Sequence, residues 1–170
     1  GVIRFFSINS KYPQNEKVVY KMGDSFVCQN AKFTITDTYM LKRMDIMNDD
    51  DLSEYLEENS DYLKSEDLNL GLIKIIISNT TDDEITVDLT AFHIESGAFF
   101  FYFYYPLVMY YNDCGMYIKL SKGEQKTFIA PVPISSEQFL NYDSTDIRNR
   151  TYYLVSSLYP QKIMSEVKFN

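Results

Sequence analysis

The sequence predicts an all-β protein, an antiparallel β-sandwich with one inserted amphipathic helix, and three observations lead there. Short runs rich in β-branched and aromatic residues alternate apolar and polar side chains with period two. From Leu70 onward, turn-forming residues punctuate these runs at short intervals, the pattern of a sandwich rather than the strand and helix alternation of a parallel sheet. One window, Asn48 to Lys64, instead repeats its apolar residues at helical spacing. At 170 residues the chain is expected to form one domain, 1–170. A chain of that size buries about 70% of its unfolded surface, enough for a core without disulfides or metals.

Val2 to Ile8 and Val18 to Met22 open the chain with strand character, separated by the polar stretch Asn9 to Lys17 with Pro13 inside it. Gly23-Asp24 makes the next turn, and Ser25 to Cys28 and Lys32 to Leu41 follow as strands. In the second of these, Phe33 and Ile35 share one face and Thr34 and Thr36 the other. In the helical window, Leu52, Tyr55, Leu56, Asn59 and Leu63 fall on one stripe, and Asp51 with Glu54 fits a capping box. Leu72 to Ser78 and Glu84 to Ile94 flank Asn79-Thr80-Thr81-Asp82-Asp83, a polar connection suited to a hairpin. Ala98 to Tyr105, Leu107 to Tyr111, Met116 to Leu120 and Gln125 to Val132 are the next expected strands, the last two joined across Ser121-Lys122-Gly123-Glu124. A short helix or turn begins at Ser135, capped by Ser135 or Ser136, with Phe139 and Leu140 inward. Tyr152 to Leu158 and Ile163 to Phe169 close the chain around a turn containing Pro160.

Composition narrows the function classes. With 45% apolar, 16% aromatic and 24% charged residues the chain falls in the globular range. Its net charge of −8 repels polyanions, and Lys42 with Arg43 and Arg148 with Arg150 are isolated basic pairs, so nucleic-acid binding is not expected. The longest apolar stretch, Ala98 to Tyr111, is about 14 residues and contains Pro106, short of the roughly 18 that a membrane helix needs. The chain opens Gly-Val-Ile-Arg without an initiator methionine, so any N-terminal signal is expected to have been removed. Cys28 and Cys114 form no Cys-x-x-Cys pair; they either bridge each other or sit as two unreactive thiols.

Catalytic chemistry would have to run through His93, the single histidine. It sits near the end of an expected strand, with no Gly-x-Ser-x-Gly elbow in the chain and no cysteine beside it in sequence, which favours a structural or surface role. The glycines form no phosphate-cradling loop. The run Asp49, Asp50, Asp51 and Glu54 lacks the spacing of a calcium loop and is explained by the positive end of a helix dipole. In the aromatic run Phe99 to Tyr105, alternation sends Phe99, Phe101 and Phe103 inward and leaves Tyr102 and Tyr104 outside; zero tryptophan weakens a sugar-stacking role. Asn79-Thr80-Thr81 and Asn149-Arg150-Thr151 match the glycosylation sequon.

The segment Leu72 to Leu89, an aliphatic strand, an Asn-Thr turn with acids and a second strand, followed by Phe92, resembles the immunoglobulin-like domains of secreted lipoproteins from Gram-positive gut bacteria, the DUF4352 and DUF5028 type. Val19-Tyr20-Lys21-Met22-Gly23-Asp24-Ser25-Phe26, with Lys32 to Ile35 after it, is similar to the opening strand pair of those domains. Leu120-Ser121-Lys122-Gly123-Glu124 is similar to their late Leu-x-x-Gly-Glu hairpin. The resemblance spans about Val18 to Val132, and the helix of about 48–64 departs from it as an insertion. It implies an immunoglobulin-like fold and an extracellular address, anchored at the outer face of the cytoplasmic membrane by a lipid before the present N-terminus, and brings no catalytic residues.

The function expected from all this is a non-catalytic extracellular binding or structural module of a cell envelope, without cofactor, metal or nucleic acid, whose partner is a protein or cell-surface ligand. Its expected partner surface comprises Asp49, Asp50, Glu54, Glu57 and Glu58 on the helix and Tyr102 and Tyr104 on the aromatic strand. The alternatives are a small hydrolase using His93 or an acidic pair, and an intracellular interaction domain.

Overall fold

A computed structural model describes residues 16–59, 66–97, 99–135, 138–139 and 147–169. The expected strand Val2 to Ile8, the helix beyond Asn59, Ser136, Leu140 and the side chains of Asn59 and Phe99 lie outside the described residues.

The alternation read from the sequence becomes two facing sheets. One has four strands in the order β2 (Ser25–Cys28), β3 (Ala31–Lys42), β4 (Asn69–Asn79) and β9 (Gln125–Ile134). The other has five, in the order β1 (Lys17–Tyr20), β11 (Lys162–Val167), β10 (Tyr152–Ser157), β6 (His93–Ser96) and β7 (Phe99–Tyr102). A ribbon pairs β5 (Ile85–Asp88) with β8 (Tyr117–Leu120). The protein is thus an all-β sandwich. Ile73, Ile75 and Ile77 of the central β4 point into the main core with Phe33, Ile35 and Phe128, and meet Ile94, Phe101, Leu154 and Val167 of the opposite sheet. Burying one such side chain contributes about 1.5–3 kcal/mol, which is why the inward set is so purely apolar.

Local chemistry sets the corners. Gln29 and Asn30, both at positive φ, turn β2 into β3 in the sense that matches strand twist. The Gln29 amide then brackets Asp88, donating to its carbonyl and accepting from its N–H at 2.7 Å each, and so fastens this hairpin to β5. A register shift between Ile35 and Asp37 moves the inward positions of β3 from Phe33 and Ile35 to Thr38 and Met40. Gly71 is required by close approach: a Cβ there would lie 2.6 Å from the ring of Phe169.

Several sequence expectations need correction. The helix starts earlier and in two pieces, α1 (Arg43–Met47) and α2 (Asp50–Asn59). Its cap is Asp49 rather than Asp51, because Asp49 Oδ1 accepts the Leu52 N–H at 3.0 Å while Asp51 already lies within the first turn. The expected strand Glu84 to Ile94 divides into β5 and β6, which belong to different sheets, with the chain bending between Leu89 and Phe92. Hence Asn79 to Asp83 is a passage between sheets, and not a hairpin. The turn Ser121 to Glu124 likewise joins strands of different sheets. Leu107 to Tyr111 is helix, α3 (Tyr105–Tyr111), with Pro106 in its first turn, where a missing N–H costs nothing. At one edge β1 runs parallel to β11, since no hairpin links these distant segments to impose the antiparallel sense.

Asn79 explains the passage. This buried side chain spreads its N–H donors over the carbonyls of Asp83, Leu120 and Ser121 at 2.7–3.1 Å, while its oxygen accepts from the Thr81 N–H and hydroxyl at 2.8 Å. The first sequon is therefore a structural knot. Asn149, in the second, is exposed in a turn.

A second apolar cluster lies under the helices: Ile46, Leu52, Leu56, Leu68, Leu70 and Leu107, rimmed by Tyr55, Tyr104, Tyr110 and Tyr111. The helix α3 serves both cores, giving Val108 to the main one and Leu107 to this one. Asn112 ends it, donating to the carbonyls of Val108 and Ile129 at 2.9 Å and accepting the Ile129 N–H at 2.8 Å, so that one side chain caps the helix and occupies the open edge of β9.

Candidate functional site

Residues of a strand that face away from a core are free to be polar, so an apolar or buried residue there asks for a reason. On the outward face of the five-stranded sheet, cross-strand register aligns Val19, Met164, Val155, His93 and Tyr102 in one row. The next row carries Glu166, Tyr153, Glu95 and Phe100. The first row is exposed at its ends and buried in its middle: Val155 is 0% and His93 6% exposed, whereas Tyr102 is 58% exposed. Val155 and Met164 belong to neither apolar cluster, so they are a buried pair on the outer face.

His93 is held at both nitrogens. Nδ1 lies 3.1 Å from the Ala91 carbonyl and Nε2 lies 3.1 Å from Glu95 Oε1. The other Glu95 oxygen accepts from Lys162 Nζ at 2.5 Å, so a lysine of β11 reaches across β10 to a carboxylate of β6. Burial pushes the Glu95 carboxyl up, but the hydrogen bonds and charge of Lys162 and His93 outweigh it and hold the group below the ordinary carboxylate range. Over this network stand Phe100 and Tyr102, both 58% exposed, edge to face at 5.5 Å, with the imidazole 6.0 and 5.7 Å from their ring centres. Such aromatic pairs contribute about 0.5–1.5 kcal/mol beyond their burial.

The remaining predicted residues are placed elsewhere. Glu54, Glu57 and Glu58 are exposed on α2, beside Asp50; Asp49, also exposed, is the helix cap. Tyr104 does not share the face of Tyr102: the strand ends at Tyr102, and the bend into α3 turns the half-buried Tyr104 onto the small core. The sequence reading missed Phe100, Glu95 and Lys162. Alternation places Phe100 beside Tyr102 and Glu95 beside His93, but Lys162 lies 67 positions from Glu95 and carries no local signal.

A surface groove of about 470 Å³ is lined by Tyr111, Asn112, Asp113, Cys114, Lys126, Thr127 and Ile129. Its Cys114 thiol is pushed up by burial and by Asp113, with Lys126 opposing, and burial likewise pushes the Cys28 thiol up, so both are poor nucleophiles. The two cysteines are free and unbridged. Among the described residues, no group of three or more His, Cys, Asp or Glu side chains is arranged to hold a metal ion. Nor is any helix among them long and apolar enough to cross a membrane.

No family model matches the chain, and no curated protein sequence matches it. Among solved structures it is similar to ycdA of Bacillus subtilis, named as a "putative lipoprotein", with a TM-score of 0.54 at 13% identity over 85% of this chain. The chain spans 38% of the length of that protein. Looser likenesses are the yjhA protein of Bacillus subtilis (TM-score 0.47, 13% identity, 89% of this chain and 99% of that one) and an uncharacterised β-sandwich protein of Clostridium difficile (0.45, 10%, 91% and 98%). At these identities what the chain shares with ycdA is its fold.

Proposed function

We propose that the chain is one immunoglobulin-like sandwich domain of the DUF4352 and DUF5028 type, a non-catalytic recognition module of a bacterial cell envelope, displayed outside the cell. The observation that carries this reading is the exposed Phe100 and Tyr102 pair, ordered over the His93, Glu95 and Lys162 network on an outer sheet face. An aromatic pair held in place yet left in water is the composition of a contact surface, where rigid rings bury much area at little entropic loss. The name of ycdA supports the envelope address. The hydrolase alternative is weakened because both nitrogens of the only histidine are engaged and both thiols are pushed up. In this reading the carboxylates of α2 are a solvated rim, with Asp49 spent on capping.

The test is cosedimentation with isolated Gram-positive cell envelopes, comparing the wild type with a Phe100→Ser, Tyr102→Ser double variant and with a Glu54→Gln, Glu57→Gln, Glu58→Gln triple variant. Loss of binding in the first and not the second supports the aromatic face. Equal binding by wild type and aromatic variant refutes it, and loss in the triple variant alone moves the surface to α2.

A further inference from the structure

The His93 ring is surrounded by an unusual set of partners: Nδ1 faces a backbone carbonyl and Nε2 faces a carboxylate, each at 3.1 Å. A carbonyl oxygen and an ionised carboxylate only accept hydrogen bonds. A neutral imidazole has one N–H to give, so it leaves one of these contacts as a lone pair against an oxygen; the imidazolium satisfies both. Among the described residues, the titratable and charged groups around the ring are Glu95 on its own strand, Lys162 reaching over from β11, and the phenols of Tyr102 on β7 and Tyr153 on β10. With Lys162 already on its second oxygen, Glu95 has both oxygens committed to cationic donors when the ring is charged.

We infer that this network is a proton-operated latch beneath the recognition surface: protonated His93, tied to the Ala91 carbonyl and to Glu95, props Phe100 and Tyr102 in their edge-to-face arrangement, and loss of the proton releases one end of the ring and lets the pair reorient, while the Lys162 and Glu95 bridge between β11 and β6 stays. The latch rests on reading the Phe100 and Tyr102 face as the contact surface, and it makes contact dependent on whether the ring carries its second proton. Loss of the ring proton removes one donor. Glu95 then keeps Lys162 alone, and the imidazole is tied at one end instead of two. The geometry also accounts for the low 6% exposure of His93, which lies beside the buried Val155 and under the two aromatics, whose ring centres are 6.0 and 5.7 Å away.

The latch is tested without any partner, on the full chain, by NMR of the histidine ring nitrogens and of the Phe100 and Tyr102 ring protons at about pH 5 and about pH 8. The expected result is two ring N–H donors at the lower pH and one at the higher, with the Phe100 and Tyr102 resonances moving in step. In Glu95→Gln the amide can serve either ring form, as acceptor or donor, so the aromatic resonances should no longer follow the histidine. A single ring N–H at both pH values, or Phe100 and Tyr102 signals that stay still while His93 titrates, overturns the latch. Should Glu95→Gln fail to fold, the wild-type measurement decides alone. The cosedimentation experiment is separate: aromatic variants that still bind envelopes defeat the contact surface, whatever the histidine does.

Discussion

The two apolar clusters are built by different rules, and the difference separates what is rigid in this protein from what is attached to it. The main core draws alternate residues from facing sheets, and its aromatic ladder runs Phe26, Phe33, Phe92 at 5.3 Å per step. Its central members on β4 and β10 are held by backbone ladders on both sides. The small core is five leucines and Ile46, contributed by short helices, the residue before β4 and the start of that strand. Its rim is four tyrosines with Leu41 and Leu72, and a void of about 10 Å³ remains between Ile46, Leu56, Leu68, Leu70, Tyr104, Leu107 and Pro133. A period-two core is closed by the sheets that form it, whereas a helical stripe must borrow its other half from whatever it lands on. The helical end should therefore open at lower free energy than the sandwich.

That contrast can be broken in several ways. The largest expected effect is at Phe101, where truncation to alanine empties part of the main core and should cost about 3–5 kcal/mol in a denaturant melt. Leu56→Ala in the small core should cost less, about 2–3 kcal/mol, and hydrogen exchange should show the loss confined to α1, α2 and α3. If protection falls equally across β3 and β4, the two cores are one cooperative unit and the distinction fails.

The outer face sharpens the comparison, because it adds an ion-pair network to its apolar contacts. Glu95 is held below its ordinary range, so its contribution is present above the unfolded carboxylate range and is lost as pH falls through its lowered folded value. Wild type should thus exceed Glu95→Gln in stability at pH 7, with the gap closing toward pH 3, as urea midpoints at the two pH values will report. The smallest effect belongs to Tyr102→Ala: on an exposed face it should cost about 0.5–1.5 kcal/mol, the loss of its ring pairing with Phe100. A Tyr102 variant more damaged than Phe101→Ala would mean that the strand is inverted.

Much of this architecture was legible in the sequence. Strand β2 was read from end to end, β3 and β4 within a few residues, and the inward choice of Phe101 and Phe103 over Tyr102 followed from alternation alone. The stripe Leu52, Leu56 was read as a helix because both residues need a common burial site, and the small core supplies it. The misreadings share a cause. Tyr105 to Tyr111 is too short to display a helical period, and its aromatic and β-branched content mimics a strand. The Glu84 to Ile94 run is continuous in β character, yet it changes sheets at Leu89 to Phe92. The candidate site was half legible: Tyr102 could be placed and alternation sets Glu95 on the His93 face, but Tyr104 was lost to the bend, and Lys162 had no signal.

By itself the sequence determined which side chains must leave water, since period and apolarity state which face of each strand is inward. Only the tertiary structure decided the partners. Backbone N–H and C=O groups are alike from residue to residue, so nothing in β5 announces that it pairs with β8, or in β1 that it lies parallel to β11. Those pairings are selected by how the two inward faces close over one another. The closing of the sheets, in turn, is what brings a lysine of β11 over β10 to the glutamate and histidine of β6.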